Sequence, residues 1–257
     1  MSKILEGQLA VVSGIANKWS IAYAIAQSLA REGAELIVTY LNEKQKESIE
    51  GILADLPVKA MIPLDVTSDE QMEAFAAALL AFGRPVHTLV HCLAFANRDD
   101  LGPNGFVATK RDGFLLAQNV SAYSLVAMAR AAAPAMTEGG SIMTLTYLGA
   151  TRVIENYNVM GVAKASLEAS MRYLANDLGP LGIRVNAISA GAVKTASSRA
   201  VKDLSNILDY ARDRAPLRHA TAPAEVGDTA AFLASKLSRG VTGNIIFVDS
   251  GMQLLGF

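Results

Sequence analysis

The 257-residue sequence predicts an α/β protein: one doubly wound domain in which a seven-stranded parallel sheet carries helices on both faces. Three observations support that expectation. Seven short apolar runs, each bounded by turn-forming residues, alternate with longer stretches of helical period. Most of the runs are near-continuous hydrophobics, the pattern of parallel strands covered from both sides. The composition, 51% hydrophobic and 18% charged, supplies a sizeable core.

The first strand is expected in QLAVVSG (8–14), and the first helix in SIAYAIAQSLAREG (20–33). ELIVTYL (35–41) and EKQKESIEGILADL (43–56) form the second strand and helix. VKAMIPLD (58–65) and SDEQMEAFAAALLAFG (68–83) repeat the unit, with Ser68 and Gln71 as a capping-box signature. The fourth strand is VHTLVHCLA (86–94), followed by a helix in SAYSLVAMARAAAPAM (121–136). SIMTLTYL (141–148) and ASLEASMRYLANDLG (165–179) come next, then IRVNAIS (183–189). The last pair is the helix AEVGDTAAFLASKLS (224–238) and the strand NIIFVDSG (244–251). Gly33 and Gly179 are expected helix stops. Strict alternation implies right-handed crossovers. With no linker, repeat or low-complexity run, residues 1–257 read as one domain. The least regular stretches, 95–113 and 190–216, follow strands on the side where such folds bind ligands.

Several function classes drop out on composition. A net charge of −1 lacks the basic excess of a nucleic-acid binder. No apolar run approaches the ~18 residues of a membrane span. The opening MSKILEGQLAVVSG reads as a lead into the first strand, with no signal-peptide pattern, so a cytoplasmic location is expected. A lone Cys92 excludes an internal disulfide and a thiol cluster for zinc; it reads as a packed thiol. His87, His91 and His219 show no ligand spacing, so no metal is expected.

The first strand runs into SGIANKWSIAYAIA, a weak relative of the glycine-rich dinucleotide turn: only Gly14 is a glycine, and Ala16 stands where a second would be sought. Ser20 opens the helix, and its hydroxyl or the Ser20–Ile21 backbone amides could meet a pyrophosphate at the positive helix end. The same residues also fit an ordinary strand–turn–helix with a serine cap. After the second strand, the ribose-reading position carries Leu41 and Asn42. After the third, Asp65 fits either an adenine amino contact, with Val66 packing beside it, or a plain turn residue. Together these positions favour a bound dinucleotide and a Rossmann-like domain. A 2′-phosphate would favour an arginine near position 41, whereas the nearest cations are Lys44 and Lys46, so NADH is preferred and NADPH stays possible.

Tyr157 and Lys164, in NYNVMGVAK, stand seven residues apart. At about 100° per residue both would leave one helix stripe. The segments SGIANKWSIAYAIA, TLTYLGA, NYNVMGVAKASLEAS and IRVNAISAGAVKT resemble the enoyl-acyl-carrier-protein reductases, a divergent branch of the short-chain dehydrogenase/reductase superfamily. The likeness runs essentially end to end, through GVTGNIIFVDSGMQLLG. Ordinary members of the superfamily place the lysine four residues after the tyrosine, where this chain has Gly161, and carry an Asn-Ala-Gly element where it reads HCLAFAN. Both departures point away from ketone reduction.

The resemblance implies NADH-dependent reduction of trans-2-enoyl thioesters on acyl carrier protein, in fatty-acid elongation. It implies Tyr157 as the phenol donor to the enolate oxygen, an oxyanion-hole role. Lys164 would hold the nicotinamide ribose, and Tyr147 would line the substrate side. Either tyrosine or water would protonate the α-carbon. It further implies a cofactor lid in SAGAVKTAS, with Val193 at the carboxamide, Thr195 at the pyrophosphate, and Ala196 and Ser197 beside them; Ala192 stands where the family commonly has proline. Leu93 and Ala94 would flank the cofactor, and Ala96 the substrate carbonyl. Phe95, Tyr147, Met160 and Ile207 are candidates for the acyl tunnel or equally for plain core. Residues 196–213 resemble the substrate-binding helix, where Arg199 and Lys202 would either meet an acidic carrier or be a solvated pair. The family typically forms homotetramers. The alternatives are another short-chain reductase acting on a carbonyl or small enone, and a non-catalytic nucleotide-binding scaffold.

Overall fold

The structure, a computed structural model, describes residues 3–193, 209 and 212–255. Its strands are β1 (Leu9–Ser13), β2 (Glu35–Tyr40), β3 (Val58–Pro63), β4 (Thr88–His91), β5 (Gly140–Thr146), β6 (Ile183–Ala190) and β7 (Ile245–Val248). All pair in parallel in the order β3-β2-β1-β4-β5-β6-β7. Five lie inside runs expected to be strands; β5 begins one residue before its run, at Gly140, and β6 ends one residue after its own, at Ala190.

The near-continuous hydrophobicity has a direct cause. Successive side chains of a strand point to opposite faces. In β1, Leu9 and Val11 enter one core with Phe75, Leu89, Leu125, Met128 and Leu167. Ala10 and Val12 enter the other, with Ile25, Leu29, Val90, Val226 and Leu233. The first core lies under α3 (Asp69–Ala81), α5 (Ser124–Ala132) and α6 (Asn158–Leu178). The second lies under α1 (Ile21–Arg31), α2 (Glu43–Leu53) and α7 (Pro223–Ala234). Each leucine, isoleucine or valine so buried contributes about 1.5–3 kcal/mol.

Four expectations need correcting. A helix not anticipated, α4 (Arg111–Gln118), begins in the last residues of the stretch read as irregular (95–113) and runs on past it, and a π-helical turn over Asn119–Tyr123 joins it to α5. In the fold the Asp100 carboxylate fills the space a Cβ on Gly113 would need. The helix expected over 165–179 begins seven residues sooner, at Asn158, because Gly161 lowers local propensity but lets the helix pack on the Gly149 carbonyl. Gly179 stays right-handed (φ −53°), and the reversal falls on Gly182 (φ +72°) after a 3-10 turn. The capping box is only half formed: Ser68 Oγ accepts from the Gln71 amide at 3.2 Å, but the Gln71 side chain accepts from Asp65 N.

Candidate active site

The carboxyl ends of the strands share one edge, and the chain reverses strand order between β1 and β4, the switch point where doubly wound folds hold ligands. Gly14 follows β1 there with φ +90°, so close to the chain leaving β4 that a Cβ would overlap the Cys92 carbonyl oxygen. The turn leads to Ser20, the N-cap of α1, whose hydroxyl donates to Asn17 O at 2.6 Å and leaves the first-turn amides uncapped. No acidic residue occupies that first turn. An uncapped, positive helix start beside a left-handed glycine fits the pyrophosphate of a dinucleotide.

The neighbouring loops are tied by a residue with no sequence signal, Gln45. Its Oε1 accepts from Leu41 N at 2.6 Å and its Nε2 donates to Ile15 O at 2.9 Å. Asn42 caps α2 through Oδ1. Asp65 behaves as a turn residue: its Oδ1 accepts from the amide and hydroxyl of Thr67 at 2.9 and 2.7 Å. Val66 and Leu93 are half-buried and pack on the first core. Val193, buried, follows β6 on the same edge. Thr195, Ala196, Ser197, Arg199, Lys202 and Ile207 lie outside the described residues.

The loop after β4 is held by Ser121 in the π turn. Phe95 N donates to Ser121 Oγ at 2.9 Å, and that hydroxyl donates back to Phe95 O at 3.1 Å. This contact fixes the half-buried Ala96, which packs with Val159 and Ala163 of α6. Met160, buried, lies 3.8 Å from Ser121 Oγ, whereas Phe95 is exposed. π turns within helices recur at functional sites.

Tyr147 follows β5 and Tyr157 sits at the N-cap position of α6. Their rings meet edge to face, with centroids 5.2 Å apart at 74°. Neither hydroxyl hydrogen-bonds another described residue. Burial raises both phenols above their ordinary range, so both stay protonated near neutrality. Two strained residues set Tyr157: Asn156 (φ +63°) and Asn158 (φ +39°) flank it in the left-handed region. Both are anchored to Gly102, Asn156 O accepting its amide at 3.1 Å and Asn158 Nδ2 donating to its carbonyl at 2.9 Å. The repeated asparagine in Asn-Tyr-Asn was the available signal, since asparagine tolerates that conformation best.

Lys164, two turns into α6, is buried and donates to Leu145 O at 2.6 Å. Burial pulls its ammonium down to about 8. Beside it in β4, His91 bonds Thr144 Oγ1 and Ser124 Oγ, both at 2.8 Å, and burial holds it neutral, at about 3. Ser124 already donates to Val120 O, so His91 Nε2 carries the proton and Nδ1 accepts from Thr144. Cys92 is pushed by burial up to about 12, an unreactive thiol.

Gly149, in the TYLGA turn, provides room for the pair. A Cβ there would stand 2.5 Å from Tyr157 Cδ1 and 3.3 Å from Tyr147 Cδ1. Gly149→Ala is therefore expected to displace the Tyr157 ring and lower turnover roughly 10- to 100-fold with NADH affinity unchanged. Steady-state kinetics on a crotonyl thioester check this; full turnover in the variant rules it out.

The fold and the nucleotide-fitting turn, with phenol donors after another strand of the same sheet, define a Rossmann-like, nicotinamide-dependent oxidoreductase. A family model described as enoyl-(acyl carrier protein) reductase matches residues 14–253. The enoyl-acyl-carrier-protein reductase (NADH) of Bacillus cereus is 55% identical over 256 residues, covering 99% of this chain and 100% of its own. The Staphylococcus aureus relative, named as an NADPH enzyme, is 47% identical, with 98% of each chain covered. The solved structure of the Bacillus cereus reductase with NADP+ and indole naphthyridinone superposes with a TM-score of 0.97 at 54% identity, covering 99% of this chain and 100% of that one. The chain belongs to the enoyl-acyl-carrier-protein reductase family of the short-chain dehydrogenase/reductase superfamily.

Proposed function

We propose that this protein reduces the trans-2 double bond of an enoyl thioester carried on acyl carrier protein, using NADH, in fatty-acid synthesis. The observation that carries the mechanism is the phenol pair: two protonated hydroxyls without a described protein partner, with the buried Lys164 ammonium bonded to the Leu145 carbonyl two residues before Tyr147. When bound, the dihydronicotinamide supplies the hydride equivalent that the β-carbon takes up. Negative charge then develops on the thioester oxygen. Tyr157 donates to that oxygen where the charge forms. Tyr147 lines the substrate side and takes part in proton delivery. Lys164 holds the nicotinamide ribose hydroxyls, and its ammonium favours the developing anion. Gly14, Ser20 and Ile21 hold the pyrophosphate. Leu41, Asp65, Val66 and Leu93 line the adenosine side, and Val193, Thr195, Ala196 and Ser197 the nicotinamide side. Ala96 flanks the substrate carbonyl.

The whole chain acts as one catalytic domain, with 190–216 as the substrate-binding segment. NADH is the favoured cofactor, since Leu41 and Asn42 follow β2 without an arginine, and NADPH remains an alternative substrate. A homotetramer in the cytoplasm fits two observations. Among the described residues no helix is long and apolar enough to cross a membrane. Val162 and Tyr173 of α6, with Tyr123 before α5, expose apolar surface. Light scattering after size exclusion tests the assembly. The function is tested by incubating the protein with NADH and either a crotonyl or an acetoacetyl thioester. NADH oxidation with the crotonyl substrate is expected; oxidation with the acetoacetyl substrate alone would make it a ketone reductase, and none with either a scaffold.

A further inference from the structure

Two hydrogen bonds cross from α6 to the end of β5. Lys164 Nζ donates to Leu145 O, and Thr146 Oγ1 donates to Glu168 Oε1, both at 2.6 Å. Tyr147 is the next residue in the chain. Thr146, Lys164 and Glu168 are only 4%, 6% and 5% exposed. Lys164 and Glu168 stand four residues apart on α6 and so share a face. A buried carboxylate costs several kcal/mol unless partnered, and a methionine would fill the same space without that cost. Packing alone therefore gives no reason for an acid between Leu167 and Met171.

We propose that Glu168 is a positioning residue for the reaction: its carboxylate anchors Thr146, and with it the departure of Tyr147 from the sheet, and balances the Lys164 ammonium one helical turn away. The groups electrostatically coupled to Lys164 are Glu168 on α6, His91 of β4 and Cys92 just after that strand. His91 is neutral and Cys92 stays a thiol, so of these three Glu168 brings the negative charge. Burial lowers Lys164 to about 8, and Glu168 opposes that fall. Neutralising Glu168 moves the lysine further down.

The inference rests on the reading that Lys164 holds the nicotinamide ribose, and the test separates the two. NADH dissociation constants are measured by fluorescence from neutral to alkaline pH for wild type, Glu168→Gln, Thr146→Val and Lys164→Met, with thermal unfolding as a check of folding. Wild-type affinity is expected to fall as pH rises through about 8, and Lys164→Met to show no such step. In Glu168→Gln the step moves to lower pH by about half a unit or more. Thr146→Val keeps the wild-type midpoint but turns over crotonyl thioester several-fold more slowly. A step in Glu168→Gln at the wild-type pH overturns the proposal while the lysine reading stands. A step that survives in Lys164→Met overturns the lysine reading and the proposal with it. Should the glutamine variant not fold, Glu168→Asp decides: an unchanged midpoint with several-fold slower turnover supports the proposal, because the shorter acid keeps the charge and loses Thr146, and unchanged turnover overturns it.

Discussion

Tyr157→Phe is expected to reduce turnover of a crotonyl thioester by roughly 100- to 1,000-fold, with NADH affinity nearly intact. The variant keeps the ring that packs edge to face on Tyr147 and removes only the hydroxyl. That hydroxyl has no partner among the described residues, so its loss orphans nothing and should leave stability close to wild type. Its work is done in the transition state, where charge appears on the thioester oxygen. Stopped-flow reduction at saturating NADH measures the step directly. Turnover within threefold of wild type would assign the donor elsewhere, and Tyr147→Phe is the matched control.

Lys164→Met should weaken NADH binding by roughly 10- to 100-fold, the worth of one charge-assisted hydrogen bond, about 1.5–3 kcal/mol. The methionine fills the buried stem volume, so the loss reports the ammonium. The pH dependence has a definite sign. Burial lowers the lysine, to about 8, so the charged form dominates below that pH and is lost above it. Wild-type kcat/KM therefore falls on the alkaline side well before an exposed lysine would titrate, and the variant is flat there. Fluorescence titration of NADH checks the affinity and steady-state kinetics across that range check the pH profile; equal affinities for the two proteins would remove Lys164 from the cofactor site.

Much of the candidate site is legible in the sequence because its proposed residues stand at strand ends. Gly14, Leu41, Asp65, Leu93, Tyr147 and Val193 each follow an apolar run, and a parallel sheet brings all such positions to one edge. The weak glycine pattern became meaningful once Gly14 was seen pressed on the Cys92 carbonyl. For Asp65 the turn role open from the sequence is the one its Oδ1 fills, in addition to the adenosine-side position proposed for it. Gln45, Ser121 and Glu168 stayed hidden because nothing local distinguishes a glutamine, serine or glutamate that bonds a distant loop from one that meets solvent.

What the sequence alone determined was the alternation of buried strands and helices, the seven-residue step from Tyr157 to Lys164, and the glycine at 161 that replaces the usual lysine. These are properties of neighbours along the chain, set by side-chain period and backbone freedom. Only the tertiary structure decided that Asn156 and Asn158 twist Tyr157 into place from Gly102, that Gly149 clears the ring, and that Thr146 is tied to Glu168. The bonds from Thr146 to Glu168 and from Asn158 to Gly102 join residues 22 and 56 positions apart, Asn156 and Asn158 hold a costly backbone shape, and such arrangements persist only when packing elsewhere fixes both partners.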